Sequence, residues 1–467
     1  MRFRTTLHAH RWLSTTDDLL SAVLVVDGTG LAGADTPPAA AEVIIVDCSG
    51  SMSLPPSKIA AARRATAAAV DALRDGVRFA LVAGTDTARL LYPLAPRMAT
   101  ADERSRAEAR QAAAAMVASG GTAMGSWLLL ARDLLAAHPG AIRHAILLTD
   151  GQNVGETPEQ LEAALRACAG EFTCDARGIG ADWKPAELRR ITAALRGRAD
   201  AVRAEADLAE DFTGMVAEAM RKVVPEVRIR VQTRPGTEIR FLRQVFPVAA
   251  DLTAEAVAVG EGVTEFSTGS WSADLRHFNL GLTVDPAGAP HQRDLPVGSV
   301  RLLAVPPGST TAEEVGEPEP LLVHWTEDEA RFSQVDPYDG HYRGQERLRR
   351  LVIEGCEALD AGDRGAAAEL LGEAVRLAAA SGNTEQLDRI GQVAQIEDAA
   401  AGRIRLKEQL SKVDLRWLEG GSGISVVPGR QLPAPASEPL PDRVCPVCEL
   451  VWPGAHRFCE ACKGALG

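Results

Sequence analysis

The chain has 467 residues, 46% of them apolar and 24% charged, which describes a folded globular protein rather than a disordered one. One core rarely grows past about 250–300 residues, so several domains are expected. A net charge of -13 excludes nucleic acid or an anionic membrane as the default partner, because both require a basic face.

The first residues hold two arginines with no apolar run behind them, and the later apolar runs are only strand-sized, so a cytoplasmic chain without a signal or a membrane span is expected. In residues 1–37, Thr5–Trp12 and Ser21–Asp27 are β-like. From 38 to 224 strands and helices alternate. Glu42–Val46, Val77–Ala83, Arg89–Leu94, Arg143–Leu148, Thr173–Ile179 and Ala199–Arg203 read as strands. Lys58–Leu73, residues 102–118 and 123–137, Pro158–Cys168, Pro185–Leu195 and Leu208–Val223 read as helices. Such alternation predicts a doubly wound, Rossmann-like α/β domain, its largely parallel sheet covered on both faces.

Beyond Pro225 the period becomes two, with Val227, Ile229 and Val231 alternating with Arg228, Arg230 and Gln232. Further β runs at Glu238–Val245, Val263–Phe266, Phe278–Val284, Ser299–Ala304 and Leu321–Trp325 predict an antiparallel β-sandwich over 225–335. The strands of residues 1–37 are expected to join it, with the α/β domain inserted between. Arg228, Arg230, Arg234, Arg240 and Arg243 are expected on the solvated outer face of one hairpin. Residues 341–418 read as a helical domain, with a hairpin around Asp360–Ala378 and a third helical stretch at 384–417. Residues 419–442, rich in Gly, Pro and Ser, read as a linker to a small module at 443–467.

The segment Val43-Ile-Ile-Val-Asp47-Cys-Ser49-Gly-Ser51-Met-Ser53 ends a buried strand in a carboxylate and follows it with alternate hydroxyls. This places hard oxygens at the carboxyl edge of a parallel sheet, where open α/β folds hold ligands. Downstream, Ser119-Gly-Gly-Thr122 sets a hydroxyl on a loop that opens a helix, and Leu147-Leu-Thr-Asp150-Gly151 ends another apolar strand in a carboxylate. Hydroxyls with few carboxylates suit Mg²⁺ or Mn²⁺ better than soft metals. Cys48 beside them reads as a small packed residue, Asp86 as a solvated loop carboxylate outside the site, and His8 and His10 as structural.

These residues resemble the metal-ion-dependent adhesion site of von Willebrand factor type A (VWA) domains. That pattern is Asp-x-Ser-x-Ser after the first strand, a later loop Thr, and an Asp after the fourth strand. Asp47, Ser49, Ser51, Thr122 and Asp150 fill it without departure. The resemblance implies a bound Mg²⁺, Mn²⁺ or Ca²⁺ whose open position accepts a carboxylate from a partner protein.

The second motif is Cys445-Pro-Val-Cys448 followed, after ten intervening residues, by Cys459-Glu-Ala-Cys462. Four thiolates at this spacing can close a tetrahedral shell around Zn²⁺ and supply folding energy that so short a module lacks. The spacing resembles a zinc ribbon. Nothing in the sequence sets a nucleophile beside a base, so a non-enzymatic interaction protein is expected. Bacterial proteins of similar build, some linked to tellurium resistance, are encoded beside Ser/Thr kinases and metal-dependent phosphatases, which implies a signalling or stress-response setting. The alternative is the VWA subunit of an AAA+ ATPase complex of chelatase or remodelling type.

Overall fold

The computed structural model describes residues 3–31, 37–287, 292–309 and 311–429, together with the backbone of two short paired strands at 443–444 and 451–452. Three strands come first: β1 (Arg4–Ala9), β2 (Trp12–Ser14) and β3 (Leu19–Asp27). The α/β layer follows as β4 (Ala40–Asp47), α1 (Pro56–Ala72), β5 (Arg78–Gly84), β6 (Ala88–Tyr92), β7 (Ala99–Thr100), α2 (Glu103–Ala114), α3 (Met124–Ala136), β8 (Ile142–Thr149), α4 (Pro158–Cys168), β9 (Thr173–Ile179), α5 (Pro185–Ala194), β10 (Ala199–Val202) and α6 (Leu208–Met220).

Its sheet runs β10-β9-β8-β4-β5-β6, with β7 also on β5. The first five strands in that order are parallel, whereas β6 and β7 run antiparallel to β5. The Thr85–Thr87 turn is too short for a crossover, so β6 has no other option. Alternation along the central strand feeds two cores. Ile44 and Val46 pack with α1, α2 and α6, while Val43 and Ile45 pack with α3, α4 and α5. Helix starts are written locally. Before α4 the Thr157 hydroxyl accepts from the Gln160 backbone N–H, and the Gln160 side chain accepts from the Thr157 N–H, a reciprocal cap that fixes the first turn.

The later strands are β11 (Glu226–Thr233), β12 (Thr237–Phe246), β13 (Ala250–Asp251), β14 (Val257–Gly260), β15 (Val263–Ser267), β16 (Leu275–Val284), β17 (Leu295–Val305) and β18 (Glu313–Thr326). With β1, β2 and β3 they form two sheets, β1-β3-β16-β12-β13 and β14-β15-β11-β17-β18-β2. Between the sheets Leu20, Leu24 and Val26 of β3 meet Val227, Ile229 and Val231 of β11, with Trp271, Phe278 and Trp325 filling the layer. The arginine face expected on one hairpin does not exist. The turn at Arg234–Gly236 carries the chain from one sheet to the other, so Arg228 and Arg230 lie on a different sheet from Arg240 and Arg243. Arg228 and Arg230 are moreover spent on Glu265, at 3.3 and 2.6 Å.

The last region comprises α7 (Glu329–Phe332), α8 (Pro337–Asp360), α9 (Arg364–Ser381), α10 (Thr384–Val393), β19 (Ala394–Asp398), β20 (Arg403–Leu406) and α11 (Lys412–Gly420). Asp336, Asp363, Asn383 and Ser411 cap α8, α9, α10 and α11 through their side chains. The continuous helical stretch expected at 384–417 is instead broken by the antiparallel pair β19–β20. Ile396 and Ile404 stand opposite each other across it, a period of two that the flanking helical pattern concealed. Residues 419–426, read from composition as linker, are largely buried: Ile424 bridges Val248, and Val426 O accepts from His341 at 2.7 Å. Among the described residues no helix is long and apolar enough to cross a membrane.

Candidate functional site

The site forms where β4 and β8 end side by side. Asp47 is the last residue of β4, and Asp150 follows the last residue of β8. Both carboxylates are fully buried. Asp47 Oδ1 accepts from the Ser49 backbone N–H at 2.8 Å, and Oδ2 accepts from the Thr149 hydroxyl at 2.5 Å. These bonds tie the turn after β4 to its neighbour strand. Ser49 Oγ lies 2.9 Å from Ser51 Oγ, and Ser51 Oγ donates to Asp150 Oδ1 at 2.6 Å. The other Asp150 oxygen, Oδ2, accepts from Lys58 Nζ at 2.7 Å.

Thr122 arrives on a separate loop, and the backbone seats it. Gly50 N–H donates to Gly120 O at 2.9 Å, Ser119 N–H to Cys48 O at 2.7 Å and Gly155 N–H to Thr122 O at 2.6 Å. Gly120 adopts φ +81°, a conformation open to glycine at little cost. The convergence is clearest at Gly151. A Cβ built there would lie 3.4 Å from Ser51 Oγ, 3.5 Å from Thr122 Oγ1 and 3.8 Å from Asp47 Oδ2. The Gly151 position, itself on the loop after β8, therefore meets oxygens from the other two loops, and a glycine keeps it clear.

Of the five sequence-assigned oxygens, Asp47, Ser51 and Thr122 meet at this point, while Ser49 and Asp150 connect to it through Ser51. Three further residues belong to the neighbourhood. Thr149 and Lys58 hold the two carboxylates, and Asp86, read from sequence as a solvated carboxylate, leans on the Thr122 loop so closely that a Cβ on Gly121 would lie 2.3 Å from its Oδ1. Cys48 is buried, and burial pushes its thiol up to about 12, so at neutral pH it is an inert packed group.

Burial also pushes the Asp47 carboxyl above its usual range, against the pull of the Ser49 and Thr149 hydrogen bonds and with an added push from Asp150. A buried carboxylate so placed gains from a neighbouring cation. The donor set is two carboxylates and three hydroxyls, without sulfur or imidazole, and among the described residues no group of three His, Cys, Asp or Glu is arranged to hold a metal ion. Such oxygens, with a cradle at Gly151 that a single carbon would fill, fit a small hard divalent cation. Cys445, Cys448, Cys459 and Cys462 lie outside the described residues.

A largely parallel sheet with hydroxyls and carboxylates gathered at its carboxyl edge places the chain among α/β proteins of the type A class. The sequence model of the von Willebrand factor type A domain matches residues 41–201, and that of the von Willebrand factor type A C-terminal domain matches 376–422. A solved von Willebrand factor type A protein from Catenulispora acidiphila is 37% identical, with 91% of this chain and 97% of that chain covered and a TM-score of 0.82. The ArnB paralog VWA2 from Sulfolobus acidocaldarius shares the fold at 13% identity, with 91% of this chain and 100% of that chain covered and a TM-score of 0.54. No curated protein matches the chain. The chain belongs to the von Willebrand factor type A family, whose domains commonly mediate protein–protein interaction.

Proposed function

We propose that this protein is a non-enzymatic scaffold that captures a partner through a divalent cation, Mg²⁺ in the first instance and Mn²⁺ or Ca²⁺ as substitutes, held by Asp47, Ser49, Ser51, Thr122 and Asp150. The observation that carries the reading is the meeting of Ser51, Thr122 and Asp47 oxygens around the open point at Gly151. The ion, when bound, supplies an electrophilic position for an external carboxylate. The chain's own residues do the rest. Asp47 and Asp150 supply charge, Ser51 relays Asp150 to the site, and Thr122 carries a neutral oxygen on a loop outside the strands. Neutral hydroxyls leave the cation under-neutralised, which favours an acidic side chain of a partner protein as the last ligand.

Among the described residues Asp47, Ser49, Ser51, Thr149, Asp150 and Lys58 are engaged with one another at the site, which supports a binding role over hydrolysis. A cytoplasmic bacterial setting among kinases and phosphatases, with the VWA unit inserted into the sandwich, is part of the same proposal. The test is partner capture by wild type and Asp47→Ala, each in Mg²⁺ and in EDTA. Capture is expected only from wild type in Mg²⁺, because the variant loses the one carboxylate that reaches the open point directly. Equal capture in all four conditions would place binding elsewhere.

For the tail we propose a zinc ribbon on Cys445, Cys448, Cys459 and Cys462. Metal analysis of the purified protein should find about one zinc per chain, lost in Cys448→Ser with Cys459→Ser. An unchanged zinc content in that variant would refute the ribbon.

A further inference from the structure

Lys58 shares the buried stripe of α1 with Ala62, Ala65 and Ala69, at i, i+4, i+7 and i+11. A lysine on such a stripe needs a partner, because a buried ammonium without one loses its hydration uncompensated. Its partner is Asp150, at 2.7 Å. Since Ser51 occupies the other oxygen of that carboxylate, both Asp150 oxygens are already engaged within the protein. Asp182, 4.0 Å from the ammonium, is largely exposed, and Asp86 is exposed as well, so water screens both. The buried charges at the site are therefore Asp47, Asp150 and Lys58.

We propose that Lys58 sets the charge of this site: it weakens the hold on the divalent ion and strengthens the pull of the loaded site on a partner's carboxylate. The inference rests on the metal-binding reading given above. Two carboxylates and one ammonium leave one negative charge, which a divalent ion converts to one positive charge. Without Lys58 the loaded site would be neutral and would attract an anion far less. Lys58 is a positioning and charge-setting residue. It donates to Asp150, and its own Nζ supplies no lone pair to an ion while it is protonated. The two effects have opposite signs, which separates this role from a merely structural one.

The experiment is a Mn²⁺ titration read by water-proton relaxation on the full chain, with acetate then added at saturating Mn²⁺ as the carboxylate probe. Wild type, Lys58→Gln and the double variant Lys58→Met/Asp150→Asn are compared, with thermal unfolding as the control for folding. Lys58→Gln, whose amide can still donate to Asp150, is expected to bind Mn²⁺ at least about tenfold more tightly, the factor a unit charge about 6 Å from a divalent ion produces even in a water-like dielectric. Its acetate affinity is expected to fall. The double variant removes both charges and strands neither, so it stays informative if Lys58→Gln folds poorly. Its Mn²⁺ affinity should fall below that of Lys58→Gln, while its loaded site, again with one positive charge, should hold acetate about as wild type does.

Equal or weaker Mn²⁺ binding by Lys58→Gln, beside a wild type that does bind, would overturn the role of Lys58 alone. Absence of Mn²⁺ binding by every variant at millimolar metal would overturn the metal reading and this inference together. Binding by Lys58→Gln alone would show that the native ammonium excludes the ion, which would overturn the loaded native site and with it the proposed pull on a carboxylate.

Discussion

Replacing His144 with alanine is expected to cost about 3–5 kcal/mol of stability, because it strands a buried charge. His144 on β8 faces Glu42 on β4 in register, and both side chains are fully buried. Its Nδ1 lies 2.9 and 3.0 Å from the two Glu42 oxygens, while Nε2 lies 3.0 Å from Asp175 Oδ2 on β9. Burial opposes a charged imidazole here, but the two carboxylates outweigh it and push His144 up from 6.5 to about 9. The same contact, against the cost of burial, holds Asp175 far below the usual carboxylate range.

The pH dependence follows from the sign of each shift. A histidine raised in the folded state contributes stability that is fully present below pH 6.5 and disappears as the pH rises to about 9. That loss amounts to about 3 kcal/mol. A lowered Asp175 contributes stability above its ordinary pKa of 3.8 and loses it only in acid, outside this window. Thermal unfolding of wild type should therefore weaken between pH 6.5 and about 9. His144→Gln should unfold earlier throughout and show a flatter profile in that range. Glu42→Gln combined with His144→Gln should recover part of the loss, since the fully buried Glu42 charge is then removed and Asp175 keeps the hydrogen bond from the Arg198 backbone N–H at 2.6 Å. A His144→Gln midpoint equal to wild type would mean that the triad carries no net stability.

Glu42, His144 and Asp175 also show where sequence reading stops. Each is one polar residue near the start of an apolar strand, and only the strand order brings them together. That order is non-local, so periodicity within a segment could not reveal it. Local signals were legible. The helix at Pro158–Cys168 and the strand at Thr173–Ile179 lie where the sequence predicts them, because proline, a capping Thr and β-rich apolar runs act over a few residues. The Asp47, Ser49, Ser51, Thr122 and Asp150 pattern was legible for the same reason, as each piece sits where a strand ends or a helix begins.

Lys58 was recoverable in principle, as a charge on the alanine stripe of α1, but its partner lies 92 residues away. The β19–β20 pair was lost because its apolar residues continue the helical spacing on either side. Residues 419–426 were lost because glycine there signals close packing as well as flexibility. A Cβ on Gly421 would lie 2.1 Å from Arg389 Nη1, so the missing side chain is what admits the guanidinium.

That guanidinium is where the second large effect is expected: Arg389→Ala should loosen the last region from the α/β layer at a cost of about 3–5 kcal/mol. Arg389 on α10 reaches both Asp200 oxygens on β10, at 3.0 and 2.8 Å, donates to Trp417 O at 2.6 Å, and lies 4.2 Å from the Trp417 ring centroid. Around it, Arg203 donates to Asp414 at 2.9 Å and Arg189 to Glu419 at 2.8 Å. These contacts lay α11 over β10, an edge strand of the parallel sheet whose open backbone would otherwise invite another chain.

Despite its burial, Asp200 is held below the usual carboxylate range, chiefly by Arg389, so alanine at 389 leaves a charge in a dry place. Arg389→Met with Asp200→Leu removes both charges and should be far milder than Arg389→Ala, which separates the stranded charge from lost packing. Gly421→Ala should mimic Arg389→Ala in part, by pushing the guanidinium out of its seat. Hydrogen exchange is the measurement, with protection expected to fall together in α11 and β10 in Arg389→Ala. Unchanged exchange in both elements would mean that apolar packing, not this ion pair, fastens the region to the sheet.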